Sequence, residues 1–127
     1  MNKPCRPGRP LPDRALMRDQ DADRVGLLFK SLSQPTRLRI LHALIREDSL
    51  SVSDLASRIG MTVQAVSNQL QRLTESGVVG CQRVGVQAFY RVVDPCVPGL
   101  IERGWCHVEE YPGSPSDAAA GGTRASA

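Results

Sequence analysis

Between Val52 and Val79 the apolar residues fall into two short helical patterns with one break between them, and a period-two pattern follows. The first segment, Asp54 to Ile59, comes after Ser53, an N-cap residue type. It stops at Gly60, a residue that readily takes the left-handed end of a helix. The second follows Thr62 and sets Val63, Val66, Leu70 and Leu73 at helical spacing, as one apolar stripe. With that stripe inward, Gln64, Ser67, Asn68 and Gln71 face out. A solvated helix ordinarily carries Glu and Lys on its outer face. Amides and hydroxyls without a carboxylate suit base edges in a major groove, where Asn and Gln can bond adenine. The pattern predicts a DNA-reading helix-turn-helix.

The flanks extend the prediction. Val25, Leu28, Phe29 and Leu32 form an apolar helical stripe, so ordered structure is expected from near Ala22. In SQPTRLRILHALIRE, Pro35 sits where a first-turn proline is tolerated, and Leu38, Leu41, Leu44 and Ile45 supply the buried face. Leu50 to Val52 reads as a short strand. Val78 to Arg83 and Gln87 to Val93 read as two strands about a Gly85-Val86 turn, a wing with Arg83 and Gln87 at its tip and Arg91 further back. A last helix follows Pro95 and runs to about Glu110. The predicted fold is mainly α with a small β-hairpin wing. The predicted divisions are a flexible basic arm over 1–20, one folded domain over 21–110 and a disordered tail over 111–127, both ends rich in Pro, Gly or Ala.

Composition narrows this reading without redirecting it. A chain of 127 residues with 41% apolar and 4% aromatic content supports one small core of Leu, Val and Ile. Net charge is only +3, but between Gly60 and Val93 Arg72, Arg83 and Arg91 stand against the single acid Glu75. A local positive face suits phosphate contact. No apolar run approaches the roughly 20 residues of a membrane span, and no secretory signal is evident, so a cytoplasmic protein is expected. Cys5, Cys81, Cys96 and Cys106 then read as thiols and match no zinc-finger spacing. An enzyme is not expected. Cys106 and His107 are neighbours, but adjacent side chains on a helix diverge by about 100°.

QPTRLRILHAL, the SVSDLA start of the third helix, AVSNQLQRL in the fourth and RVGVQAFYRV in the wing occur here in the order helix, helix, strand, helix-turn-helix, wing, closing helix. Over roughly 22–110 the chain resembles the ArsR/SmtB family of bacterial metal-responsive repressors. The resemblance implies a winged helix-turn-helix homodimer, joined through the first and last helices, here by Leu28, Leu32, Leu100 and Ile101. It implies double-stranded operator DNA as partner, with Gln64, Ser67 and Asn68 reading bases and Arg83 and Arg91 holding phosphates near the wing. Many members carry His where Asn68 stands.

The resemblance also implies where an inducing metal would sit. One family site is a Cys-x-Cys pair at the start of the third helix. Here that stretch is Ser51-Val52-Ser53, and hydroxyls are poor ligands for soft metals. The other lies on the last helix, with pattern Asp-x-His, ten residues, His-x-x-Glu. This chain has Asp94-x-Cys96, then His107-x-x-Glu110, with Cys in place of the first His. Eleven helical residues return His107 to within about 20° of Cys96 but leave them about 16 Å apart, so one ion needs an antiparallel partner helix. Two donor sets stay open. Cys81, Cys96 and Cys106 would be thiolate-rich and favour mercury(II), cadmium(II) or lead(II); Asp94, Cys96, His107 and Glu110 would suit zinc(II). The softer set is preferred. The expected protein is a repressor released from its operator by a thiophilic metal, mercury(II) first and cadmium(II) or lead(II) next; the alternatives are a zinc-responsive repressor using Asp94, Cys96, His107 and Glu110, and a redox switch at Cys96 and Cys106.

Overall fold

The computed structural model describes residues 8–111 and 113. They divide into two compact units, with the boundary between Pro95 and Cys96. The first holds a short 3-10 turn at Leu11–Asp13, then α1 (Asp19–Leu32), α2 (Pro35–Glu47), β1 (Leu50–Ser51), α3 (Val52–Ile59), α4 (Val63–Glu75), β2 (Val79–Val84) and β3 (Gln87–Val92). The second holds α5 (Val97–Glu110). Cys5, the first residues of the expected arm and nearly all of the expected tail lie outside the described residues. Among the described residues no helix is long and apolar enough to cross a membrane.

The core of the first unit is aliphatic, with Ile40, Leu41, Leu44, Leu55, Val66, Leu70, Leu73 and Val79 almost wholly buried. The stripe on α2 is turned from the predicted one. Ile40 joins Leu41 and Leu44 inside, Leu38 is half-buried and Ile45 is exposed. On α4, Val66, Leu70 and Leu73 are buried as expected, but Val63 is 51% exposed because it is the first helical residue, directly after the cap. α1 begins at Asp19, ahead of the expected Ala22. An Arg18–Asp21 ion pair of 2.9 Å and two first-turn aspartates, which suit the positive end of the helix dipole, carry it further back. Of its expected stripe only Leu32 is buried; Leu28 is half-buried, and Val25 and Phe29 are exposed.

Local chemistry fixes the helix ends. Gln34 caps α2, its side chain accepting from the Arg37 N–H at 2.8 Å. The N-cap of α3 is Ser51 and not Ser53: the Ser51 hydroxyl accepts from the Asp54 N–H at 3.2 Å, so the helix starts at Val52. Ser51 also pairs with Phe89, which shortens β1 to two residues. Gly60 ends α3 in the left-handed conformation, φ 71° and ψ 39°. α4 closes at Gly77 (φ 82°) in a Schellman motif, Gly77 N–H to the Thr74 carbonyl and Val78 N–H to that of Leu73.

The sheet has three antiparallel strands in the order β1-β3-β2. β1 meets β3 at Leu50↔Tyr90 and Ser51↔Phe89, whereas β2 and β3 pair along six positions from Val79↔Val92 to Val84↔Gln87. The middle of β3 is thus tied at Phe89 to Ser51, the cap of α3.

Candidate nucleic-acid interface and thiol positions

α4 presents its polar side outward. The Thr62 hydroxyl caps it by accepting from the Ala65 N–H at 3.1 Å. Gln64, Asn68, Gln71 and Arg72 are exposed and Ser67 is half-buried. Gln64 Nε2 donates to Asn68 Oδ1 at 3.0 Å, an i,i+4 amide pair that orders both side chains. The Asn68 amide keeps both N–H donors and a second lone pair on Oδ1, and Gln64 keeps its carbonyl oxygen. Together they offer adjacent donors and acceptors, the grouping that a purine edge requires.

One polar residue of α4 turns the other way. Gln69 is half-buried, and its Oε1 accepts from Arg37 Nε at 2.7 Å. The sequence reading missed it. Its only signal was an amide at the border between the apolar stripe and the outward face.

In the wing the register decides which side chains share a face. Cys81 stands opposite Tyr90 and Arg83 opposite Ala88, whereas Arg91 stands opposite Gly80 and Gln87 opposite Val84. Side chains alternate along a strand, so Arg83 and Arg91 lie on opposite faces of the hairpin. Gln82, which the sequence reading did not single out, shares the Arg91 face and is exposed. Arg91 forms a long ion pair, 3.7 Å, with Asp48, which follows α2 at φ 71° and ψ −39°. On the other face, burial and then a hydrogen bond to the Cys81 sulfur hold the Tyr90 phenol above its ordinary pKa, and Arg83 pulls the other way.

Cys81, Cys96 and Cys106 are all exposed thiols. Cys96 is the N-cap residue of α5, while Cys106 and His107 lie toward its end. His107 packs against Tyr111 with ring centroids 5.2 Å apart, and Glu110 is exposed. Asp94, half-buried, closes the first unit beside the hairpin root, its N–H donating to the Val78 carbonyl at 3.3 Å. Among the described residues, no three His, Cys, Asp or Glu side chains of one chain come close enough to hold a metal ion. The α5 donors are strung along the helix and not gathered. At the start of α3, the Ser51 hydroxyl is committed to the cap.

Of the residues expected at a dimer seam, Leu28, Leu100 and Ile101 are half-buried and Leu32 is 6% exposed. Apolar exposure on α1 sits instead at Val25, Leu27 (65%) and Phe29 (53%), and on α5 at Trp105 (52%) and Val108.

A capped helix with an amide face, set against a short helix by a left-handed turn and followed by a hairpin, defines a winged helix-turn-helix DNA-binding protein. Residues 32–81 match the family model of a helix-turn-helix domain. The cadmium resistance transcriptional regulatory protein CadC of Listeria innocua is 37% identical over 90 residues, 71% of this chain and 76% of that protein. The crystal structure of the antimony-specific transcriptional repressor AntR superposes with a TM-score of 0.74 at 48% identity, covering 84% of this chain and 96% of that one. A homodimeric winged helix-turn-helix domain from Mycobacterium bovis, studied in solution, superposes with a TM-score of 0.64 at 28% identity, covering 78% of this chain and 94% of that one. The chain belongs to the ArsR/SmtB family of winged helix-turn-helix, metal-responsive transcriptional repressors. It is a DNA-binding regulator and not an enzyme.

Proposed function

We propose that this chain is a homodimeric, cytoplasmic repressor that binds operator DNA and is released by a thiophilic ion held between Cys96 of one protomer and Cys106 of the other. The observation that carries the reading is the pair of exposed thiols toward the two ends of α5. They are about 15 Å apart along the axis at 1.5 Å per residue, too far to close on one ion within a single helix. An antiparallel second copy brings the opposite ends together. Trp105 and Val108, exposed on α5, give such a copy apolar surface to cover, and the M. bovis neighbour is homodimeric. Thiolates are soft ligands and suit antimony(III), mercury(II), cadmium(II) and lead(II). Antimony(III) stands first because AntR, antimony-specific, is 48% identical. We leave Cys81 outside the site because it stands on β2, opposite Tyr90, and not on α5. When bound, the ion supplies a covalent-strength link between two thiolates of different chains.

On the DNA side, Gln64, Ser67, Asn68 and Gln71 read bases from α4. Arg72 contacts phosphate, and Arg83, Gln87 and Arg91 engage the backbone from the wing. The two α4 helices of the dimer sit about 34 Å apart, in successive major grooves. To weaken DNA binding a hundredfold, the ion must bias the dimer by about 2.7 kcal/mol, an ordinary coupling between sites.

The test is a titration of the metal-free protein on a DNA site selected from a randomised pool, repeated with antimony(III), mercury(II), cadmium(II) and zinc(II). Release by the soft ions is expected. Unchanged affinity under all four sinks the sensor reading. Release by zinc alone transfers it to Asp94, Cys96, His107 and Glu110, of which His107 and Glu110 are exposed one turn apart on α5. Release by peroxide in the presence of chelator transfers it to a Cys96–Cys106 disulfide.

Asp48→Asn offers a separate check on the wing. It removes the carboxylate that faces Arg91, and exposed pairs of this kind are worth roughly 0.2–1 kcal/mol. DNA affinity at low salt is expected to rise about two- to fivefold, with the gain shrinking as salt is added. An affinity that stays level would remove Arg91 from the interface.

A further inference from the structure

Arg37 does more than its place in the first turn of α2 requires. Its guanidinium is half-buried and divides between two elements: Nε donates to Gln69 Oε1 of α4 at 2.7 Å, and one terminal nitrogen donates to the Ser31 carbonyl of α1 at 2.9 Å. Its own N–H is held by the Gln34 cap at 2.8 Å, which anchors the base of the side chain. Ser31 lies in the last turn of α1, where carbonyls have no partner within the helix and a cation is favoured. A planar guanidinium offers its donors in a fixed fork, so the two bonds constrain each other. One side chain therefore ties α1, α2 and α4 together.

The rest of the hold on α4 is of a different kind. Val66, Leu70 and Leu73 bury against aliphatic neighbours, and apolar packing is non-directional. It fixes the depth of the helix better than its rotation about its own axis. A rotation of about 20° moves a side-chain tip, about 5–6 Å from the axis, by about 2 Å. That exceeds the few tenths of an ångström over which a hydrogen bond keeps its strength. Gln69 directly follows Asn68, so a bond that fixes one fixes the direction of the other.

We propose that Arg37 is a positioning residue for DNA reading: through Gln69 it sets the rotation of α4, and through Ser31 it refers that rotation to α1. It acts through Gln69 and makes no contact with DNA itself.

The experiment uses the full chain as wild type, Arg37→Met, Gln69→Leu, the double variant and Arg37→Lys. Each is titrated by fluorescence anisotropy against a duplex selected by the wild-type protein from a randomised pool, and against an unrelated duplex of the same length, at several salt concentrations. Each single change is expected to weaken binding to the selected duplex about tenfold, and the double change to weaken it no further. Arg37→Lys, which keeps the charge but not the fork, should recover part of the loss. Binding to the unrelated duplex and the salt slope should stay as in the wild type. Selected-duplex affinity within twofold of wild type in Gln69→Leu, with a wild-type circular dichroism spectrum, overturns the proposal and leaves a structural bond only. Losses that add in the double variant overturn it too, since Arg37 and Gln69 would then act separately. So does a salt slope that falls by about one in Arg37→Met, the mark of a phosphate ligand. If Arg37→Met does not fold, Gln69→Leu decides.

Discussion

Cys96→Ser and Cys106→Ser are each expected to leave DNA binding by the metal-free repressor unchanged and to abolish its release by antimony(III) or mercury(II). Both thiols are exposed, so exchanging sulfur for oxygen disturbs no packing. Each change removes one of the two soft donors, and a hydroxyl does not replace it. A hundredfold difference in operator affinity between loaded and unloaded protein should therefore collapse to about onefold, a loss of about 2.7 kcal/mol of coupling. Ultraviolet thiolate-to-metal bands should vanish in the same two variants, which ties the functional loss to ligation. Cys81→Ser should keep both the bands and the release. Bands that persist in Cys96→Ser and in Cys106→Ser would refute the assignment. Bands lost only in Cys81→Ser would move the site to the wing.

Leu70→Ala is expected to be the most damaging single change to the fold. Leu70 is wholly buried at the middle of the inner stripe of α4. Truncating such a leucine loses its burial and opens a cavity, at about 2–5 kcal/mol. Against a total stability of roughly 5–15 kcal/mol this is a large share, and a fall in melting temperature of about 10 °C should follow. Val63→Ala is the control. Val63 belongs to the same sequence stripe, yet it is half-exposed and should change the midpoint by no more than a degree or two. Thermal denaturation followed by circular dichroism at matched concentration measures both. Equal shifts in the two variants would mean that the stripe is not divided as described.

What sequence alone could read, and what it could not, follows from how each feature is encoded. Thr62, Gly60 and Gly77 mark helix ends through chemistry within a few residues, and those ends were legible. The cap of α3 was not, because Ser51 and Ser53 are both cap residues and only the position of the strand before them decides between them. The phase of the α2 stripe failed for a related reason. Ile40, Leu41, Leu44 and Ile45 are all aliphatic, so which flank turns inward depends on the neighbours α2 meets. The bond from Arg37 to Gln69 spans 32 positions and leaves no periodic trace. The opposed faces of Arg83 and Arg91 could have been counted. With Gly85 and Val86 at the turn, Arg83 pairs with Ala88, and Arg91, three residues beyond Ala88, must point the other way. The donors on α5 were legible as residue types in register. In the proposed site a second chain would gather them, and that lies outside any single sequence pattern.

The unequal pairing of the sheet has a mechanical consequence for the wing. β3 is flanked on both sides only at Phe89 and Tyr90; beyond them, from Arg83 to Ala88, the hairpin is a two-stranded ribbon. A third strand stiffens a ribbon, and a two-stranded one twists more readily and is marginal by itself. The wing is therefore a cantilever, clamped where it meets the cap of α3 and compliant toward Gly85. Its tip can follow grooves of different width at little elastic cost, while its root keeps a constant bearing on the start of the helix-turn-helix.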